Sequence, residues 1–221
     1  MNKIDLENKS YSTEQVIESL KEQVTPERLE RIKTVISNRN KNLITVMENM
    51  YDRGNTSAVM RSAEAFGFHH FHQIIEIDTF KESKRVTQGA DKWLLKKEWR
   101  DTSTCIKSLK EQGYKIVVTH LEGGKPIDEI SFNEPVALCF GSEKDGASPI
   151  LTELADERAY IPMQGFVQSF NISVAAALCF QHIHKAHQEL ELPPLSGEER
   201  QYLLALYLHR SCKTPVLPAP L

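Results

Sequence analysis

The sequence predicts an α/β domain, a mostly parallel sheet flanked by helices, and three observations carry that prediction. Short β-prone runs (Leu43–Met47, Gln73–Ile77, Tyr114–Thr119, Val136–Phe140 and Arg158–Ile161) alternate with segments of helical periodicity, the pattern of strands joined by crossover helices. The run Val136-Ala-Leu-Cys-Phe140 is wholly apolar, as expected of a strand buried on both faces. Three stretches share one layout of strand, loop and helix, and ligands of parallel sheets gather at the carboxyl ends of the strands.

Composition bounds the class. A chain of 221 residues, 40% hydrophobic and 26% charged, has the length and balance of an ordinary globular protein with a sizeable core. The net charge of −3 does not mark a nucleic-acid binder, but a local basic face decides that matter more than the total does. No apolar run approaches the ~20 residues of a membrane helix, and residues 1–9 lack the apolar core of a signal peptide. Cys105, Cys139, Cys179 and Cys212 stand far apart, without the short Cys/His spacing of a zinc site. Reduced thiols, no metal, no membrane and a cytoplasmic location are expected.

In chain order, residues 1–24 are polar and read as a helical or partly frayed arm. Thr25 suits an N-cap, Pro26 the first helical position and Glu27 the positive end of the dipole. Leu29, Ile32, Val35 and Ile36 then give one apolar face. Arg28, Arg31, Arg39 and Lys41 make this helix and its exit basic, which reads as a solvated face or as an RNA-contacting arm. After the first strand, a helix is expected from about Thr56 to Phe66. The stretch from Thr79 to Lys97 is polar and irregular. A helix over Ser103–Gln112 closes on Gly113, a C-cap signal. Pro126–Ile130 reads as a helical turn and Pro149–Ala155 as a helix start. Long helical periodicity begins at Asn171 and runs to about Leu190. A last helix spans Glu198–Ser211, and Pro215, Pro218 and Pro220 predict a ragged tail. Domain boundaries follow at 1–42, 43–190 and 191–221.

Three loops hold the candidate chemistry. In the first, Asn55 fits a helix N-cap, and Arg61, six residues on, is expected near the same helical angle. Taken alone, these read equally as a cap and a surface salt-bridge partner. The second, Phe140-Gly-Ser-Glu-Lys-Asp-Gly146, carries glycines that permit positive φ or close backbone approach. It matches neither a Walker loop, nor G-x-G-x-x-G, nor G-x-S-x-G. The third runs from Ile161 through Ser169 and Asn171 into the last long helix, where helix-start N–H groups make a ready polar site.

Jointly, N-x-S-A-x-x-R-S-A-x-x-F-G (55–67), F-G-S-E-x-x-G (140–146) and I-P-M-x-G-x-V-Q-S-x-N-I-S-V-A-A-A (161–177) resemble the SpoU, or TrmH-type, RNA 2′-O-ribose methyltransferases in order and spacing. The resemblance covers about residues 25–190. Thr25–Ile32, the helix to Arg39, and Val167-Gln-Ser169 further resemble the branch that modifies guanosine 18 in the tRNA D-loop. The resemblance implies a C-terminal trefoil knot, S-adenosylmethionine as cofactor and a homodimer. Pattern reasoning alone would reject a knot. By matching position it implies that Thr119, Gly141, Glu143, Ile161, Met163, Ser169 and Phe170 border the cofactor. Arg61 matches the catalytic arginine, and Asn55, Glu143, Ser169 and Asn171 match the polar residues that organise the site.

A ribose hydroxyl must lose its proton during attack, so the site needs a proton acceptor and an in-line approach. No His or Cys in a motif loop offers itself. A guanidinium ordinarily holds its proton, which leaves two accounts of Arg61: proton release aided by an RNA phosphate, or a permanent charge that positions the phosphate while another group takes the proton. Three places depart from the family pattern: Asp52-Arg53-Gly54 stands where the tRNA branch often has Lys-Pro-His, Ser142 where Asn or Gln is commoner, and Phe170 where Leu is usual. RNA affinity is expected from Arg28, Arg31, Arg39, Lys41, Arg53, Lys84 and Arg85, and so to fall with salt. Two rivals stay open: a ribosomal RNA ribose methyltransferase, and a non-catalytic RNA-binding protein of the same fold. His69, His70 and His72 read as a surface loop, and His182, His184 and His187 as a polar or dimer-facing helix surface, rather than as metal ligands.

Overall fold

The computed structural model describes residues 3–76, 89–190 and 192–221. The elements are β1 (Lys3–Leu6), β2 (Lys9–Ser12), α1 (Thr13–Lys21), α2 (Pro26–Ser37), β3 (Asn40–Glu48), α3 (Arg53–Ala65), β4 (Phe68–Ile74) and β5 (Leu95–Trp99). They continue with α4 (Thr102–Glu111), β6 (Lys115–Thr119), β7 (Lys125–Pro126), β8 (Val136–Phe140), α5 (Pro149–Leu154), β9 (Glu157–Tyr160), α6 (Ile172–Glu189) and α7 (Gly197–Ser211). Two compact units result, one of residues 41–193 and one of residues 1–40 with 194–221.

The larger unit is an α/β sheet in the order β5-β4-β3-β8-β6-β9-β7. The pairs β3–β8, β6–β8, β6–β9, β4–β5 and β7–β9 are all parallel. Alternation along central β8 explains why that strand is wholly apolar. Val136, Leu138 and Phe140 face one core, with Met60, Phe68, Phe180 and Ile183. Ala137 and Cys139 face the other, with Ile106, Leu109 and Leu151 of α4 and α5. Period-2 side chains with helices on both faces leave no solvated position in such a strand. Gly113 closes α4 at φ +84°, the left-handed cap expected there.

Four expectations need correction. The second strand is Phe68–Ile74 rather than 73–77, so the histidines read as a surface loop lie within it. His69 and His72 are buried. His72 accepts the indole N–H of Trp99 at 3.3 Å, and a neutral imidazole so paired tolerates the core as a small aromatic would. On α6, His187 is buried against Phe68 rather than on a surface, while His182 and His184 stay half-buried, touching Phe132 and Phe68 at the edge of the core. β5, from the end of the stretch expected to be irregular, forms the sheet edge. Residues 77–88, which include Lys84 and Arg85, lie outside the described residues.

In the smaller unit α1 (Thr13–Lys21) meets the helical reading of residues 1–24, while a hairpin before it and a held tail replace the frayed and ragged readings. Residues 3–12 form an antiparallel hairpin, with Glu7 and Asn8 at φ +50° and +64° making a two-residue turn whose twist suits a hairpin. Gln23 holds the tail at Val216, donating to its C=O and accepting from its N–H, both at 3.0 Å. The Leu221 N–H donates to Ser10 O. Thr25 caps α2 by accepting from Arg28 N, as its sequence foretells. The Ser196–Glu199 capping box opens α7.

Burial lowers the pKa of His72 to about 3 and that of His187 to about 4. Both folded values lie below the ordinary 6.5, so the unfolded chain binds more protons in that interval. Stability is therefore full above pH 6.5 and lost as pH falls through these values. Thermal melts are expected to show Tm declining from pH 6.5 towards 4. His187→Leu should flatten the decline; an unchanged slope removes His187 as a cause.

Candidate functional site

A cavity of about 590 Å³ opens at the carboxyl ends of β6, β8 and β9, where chains leaving parallel strands diverge. Asn55, Thr119, Gly141, Glu143, Ile161, Met163, Ser169, Phe170 and Asn171 all line it. Residues from all three motif loops thus meet around one space, although 116 positions separate Asn55 from Asn171.

A polar relay joins the loops. The Asn171 amide donates to Asn55 Oδ1 at 3.1 Å, and the Asn55 amide donates to Glu143 Oε1 at 3.0 Å. Glu143 also accepts backbone N–H groups of Tyr51, at 3.1 Å, and Asp52, at 3.4 Å. One carboxylate holding three donors fixes its own rotamer and the turn after β3. Asn171 keeps its expected second task, capping α6 by accepting from Ser173 N at 2.9 Å. Asn55 does not cap α3. That helix begins two residues earlier, and Asp52 caps it by accepting from Gly54 N. A carboxylate is a strong cap at the positive helix end, and this frees both ends of the Asn55 amide for the relay.

The second loop turns back sharply. Ser142 and Gly146 exchange backbone hydrogen bonds at 2.9 and 3.0 Å, and Gly146 sits at φ +72°. This brings Gly141 so close to the returning chain that a Cβ there would lie 2.0 Å from Ala147 N. Thr119 donates to Cys139 O at 3.3 Å, tying the end of β6 to β8 beside the cavity.

Arg61 departs from its expected place. It is exposed on α3 and does not line the cavity. At about 100° per residue, six residues fall roughly 120° short of two full turns, so Asn55 and Arg61 do not share an angle. Of the expected RNA contacts, Arg28, Arg31 and Arg53 are exposed and Lys41 is half-buried. Arg39 is 6% exposed, donates to the Tyr207 hydroxyl at 3.0 Å and stacks on that ring, a packing role within the smaller unit.

The cavity also takes in residues outside the expected set: Asp145, His120, Leu121 and Tyr160. His120, Leu121 and Tyr160 stand at the carboxyl ends of β6 and β9, a position legible from strand ends alone. Tyr51 reaches Asp145 through its hydroxyl at 3.3 Å. Burial pushes the pKa of Cys179, on the cavity lining, up to about 12. Cys105 is likewise pushed up to about 12, and Cys139 well above its usual value, so none of the three offers a thiolate near neutral pH. Among the described residues no cluster of His, Cys, Asp and Glu fits a metal ion, and no helix is long and apolar enough to cross a membrane.

Comparison with known proteins places the chain among relatives. The model of the SpoU rRNA Methylase family matches residues 42–181. A tRNA (guanosine(18)-2′-O)-methyltransferase of Aquifex aeolicus is 31% identical over 188 residues, 82% of this chain and 88% of the relative. One of Thermus thermophilus is 33% identical over 190 residues, 84% and 98% of the two chains. Among solved structures, the A. aeolicus TrmH/SpoU tRNA modifying enzyme superposes with a TM-score of 0.78 at 29% identity, covering 85% of this chain and 98% of that one. The chain belongs to the SpoU methylase family.

Proposed function

We propose that this protein is an S-adenosylmethionine-dependent RNA ribose 2′-O-methyltransferase that acts on guanosine 18 of the tRNA D-loop, in the cytoplasm. The observation that carries the reading is the Asn171–Asn55–Glu143 relay along the lining of one cavity. Likeness to the guanosine-18 enzymes over most of both chains supports the tRNA substrate.

The residues fit the cofactor. The cavity volume suits a nucleoside-sized ligand. Leu121, Ile161, Met163 and Phe170 offer apolar surface for a base, and the folded-back 141–147 loop offers backbone amides and carbonyls. Bound there, S-adenosylmethionine supplies a methyl group activated by a sulfonium. Thr119, Gly141, Ile161, Met163 and Phe170 shape its seat. Asn55, Glu143, Ser169 and Asn171 order the polar edge that meets the ribose, and Arg61 meets the RNA from outside the cavity. Arg28, Arg31, Arg53 and Lys41 supply phosphate contacts that hold the RNA without reading its sequence.

The reading is tested by incubating labelled S-adenosylmethionine with unmodified tRNA and with ribosomal RNA, then mapping the methylated ribose. Label at guanosine 18 is expected. Label confined to ribosomal RNA overturns the substrate, and label in neither overturns the activity.

The same reading includes a homodimer with the family's C-terminal knot. Val174 and Leu178 lie one turn apart on α6 and are 47% and 43% exposed, and Phe166 and Val167 before the helix are exposed as well. An apolar surface of this kind beside a site marks an interface. Leu178→Glu is expected to halve the mass found by sedimentation and to remove most methylation. A variant that keeps the mass of the parent protein removes α6 from the interface.

A further inference from the structure

Glu48 ends β3 and does not line the cavity, yet it is 1% exposed. Its Oε1 accepts from the hydroxyls of Thr102 and Ser148, each at 2.7 Å, and its Oε2 accepts from Ser148 N at 2.8 Å. All three donors are neutral. A carboxylate buried among neutral donors is a costly way to join two segments when apolar packing would serve. Ser148 ends the 141–148 loop and caps α5 by accepting from Leu151 N at 3.0 Å. Glu48 therefore grips the far end of the loop whose near end carries Gly141 and Glu143.

The grip has a counterpart. β3 and β8 are neighbours in register, with Met47 opposite Phe140. From the β8 side, Glu143 reaches across to the N–H groups of Tyr51 and Asp52, just after β3. From the β3 side, Glu48 reaches across to Ser148, just after the β8 loop. Two crossed carboxylates thus lock the loops of adjacent strands into one body, and one wall of the cavity is part of it.

We propose that Glu48 is a positioning residue: acting through Ser148, it holds the 141–147 wall at the spacing the cofactor requires. The inference rests on the cavity being the S-adenosylmethionine site. Glu48→Gln keeps the volume but replaces one accepting oxygen with an NH2 donor, so either the Ser148 N–H loses its acceptor or the Thr102 and Ser148 hydroxyls must turn from donors into acceptors, Thr102 then donating to Glu76 Oε1 at 3.1 Å. The expected result is a Kd for S-adenosylhomocysteine raised about tenfold, with kcat at saturating cofactor little changed and hydrogen exchange faster at the amides of Ser148, Tyr51 and Asp52. Ser148→Ala removes the hydroxyl bond to Glu48 and should raise Kd as well, and the double variant should fall short of the sum of the two because the residues share one link. Unchanged affinity in Glu48→Gln, or effects that add, overturns the proposal. If the parent protein itself fails to bind S-adenosylhomocysteine, the cofactor reading falls. The exchange measurement then decides the clamp alone, and unaltered protection of the three amides in Glu48→Gln overturns it.

Discussion

Arg61→Ala is expected to lower ribose methylation about a thousandfold, the scale of losing a proton-transfer or charge-stabilising group, and to leave S-adenosylhomocysteine binding as it was. The split follows from position. Asn55 lines the cavity, whereas Arg61 lies outside it on an exposed face of α3, about 9 Å further along the axis at 1.5 Å per residue. Under the proposed function, a guanidinium so placed is expected to meet the phosphate and ribose of an incoming RNA rather than the cofactor. Calorimetry with S-adenosylhomocysteine and single-turnover methylation separate the two effects. Lost cofactor binding would sink the assignment. Arg61→Lys refines the test: substantial recovery means that a positioned charge is what the reaction needs, and none means that the guanidinium fork itself is needed.

Gly141→Ala is expected to abolish cofactor binding and to cost roughly 3 kcal/mol or more of stability, beyond ordinary overpacking. The added Cβ would stand 2.0 Å from Ala147 N, 2.2 Å from Gly146 C and 2.3 Å from Gly146 O. Backbone cannot swing aside as a side-chain end can, so the 141–147 turn must open, and this turn is a cavity wall. Gly146→Ala makes a useful contrast. Its Cβ would have open space, and the penalty comes only from φ +72°, about 1–2 kcal/mol. Equal effects at the two positions, read by thermal melts and cofactor titration, would mean that close approach at Gly141 is not the determinant.

Much of the site was legible because its residues carry local structural tasks as well as site tasks. Asn171 caps a helix and Gly141 accommodates a close backbone approach, and each task confines a position to a few residue types. Other features were illegible because long-range packing decides them. His69 and His72 look polar, and only the pairing of β4 with β5 and the indole of Trp99 make them core residues. Arg39 continues a basic helix in sequence, yet Tyr207, 168 positions away, takes it inside. The tail after Pro215 has no periodicity to read, and two side-chain bonds from Gln23 hold it.

By itself the sequence determined the alternating parallel architecture, the two-faced burial of β8, the helix ends at Thr25, Asn171 and Gly113, and the three loops that carry the candidate chemistry. These depend on side-chain period, backbone freedom and capping, which act within a few residues. The tertiary structure alone decided that one Asn55 amide bridges Asn171 and Glu143, that Arg61 stands outside the cavity, and that Glu48 and Glu143 cross between neighbouring strands. Those contacts join residues about 90 to 120 positions apart. No local propensity encodes them, since they exist only once β3 and β8 pair in parallel and bring their carboxyl ends together.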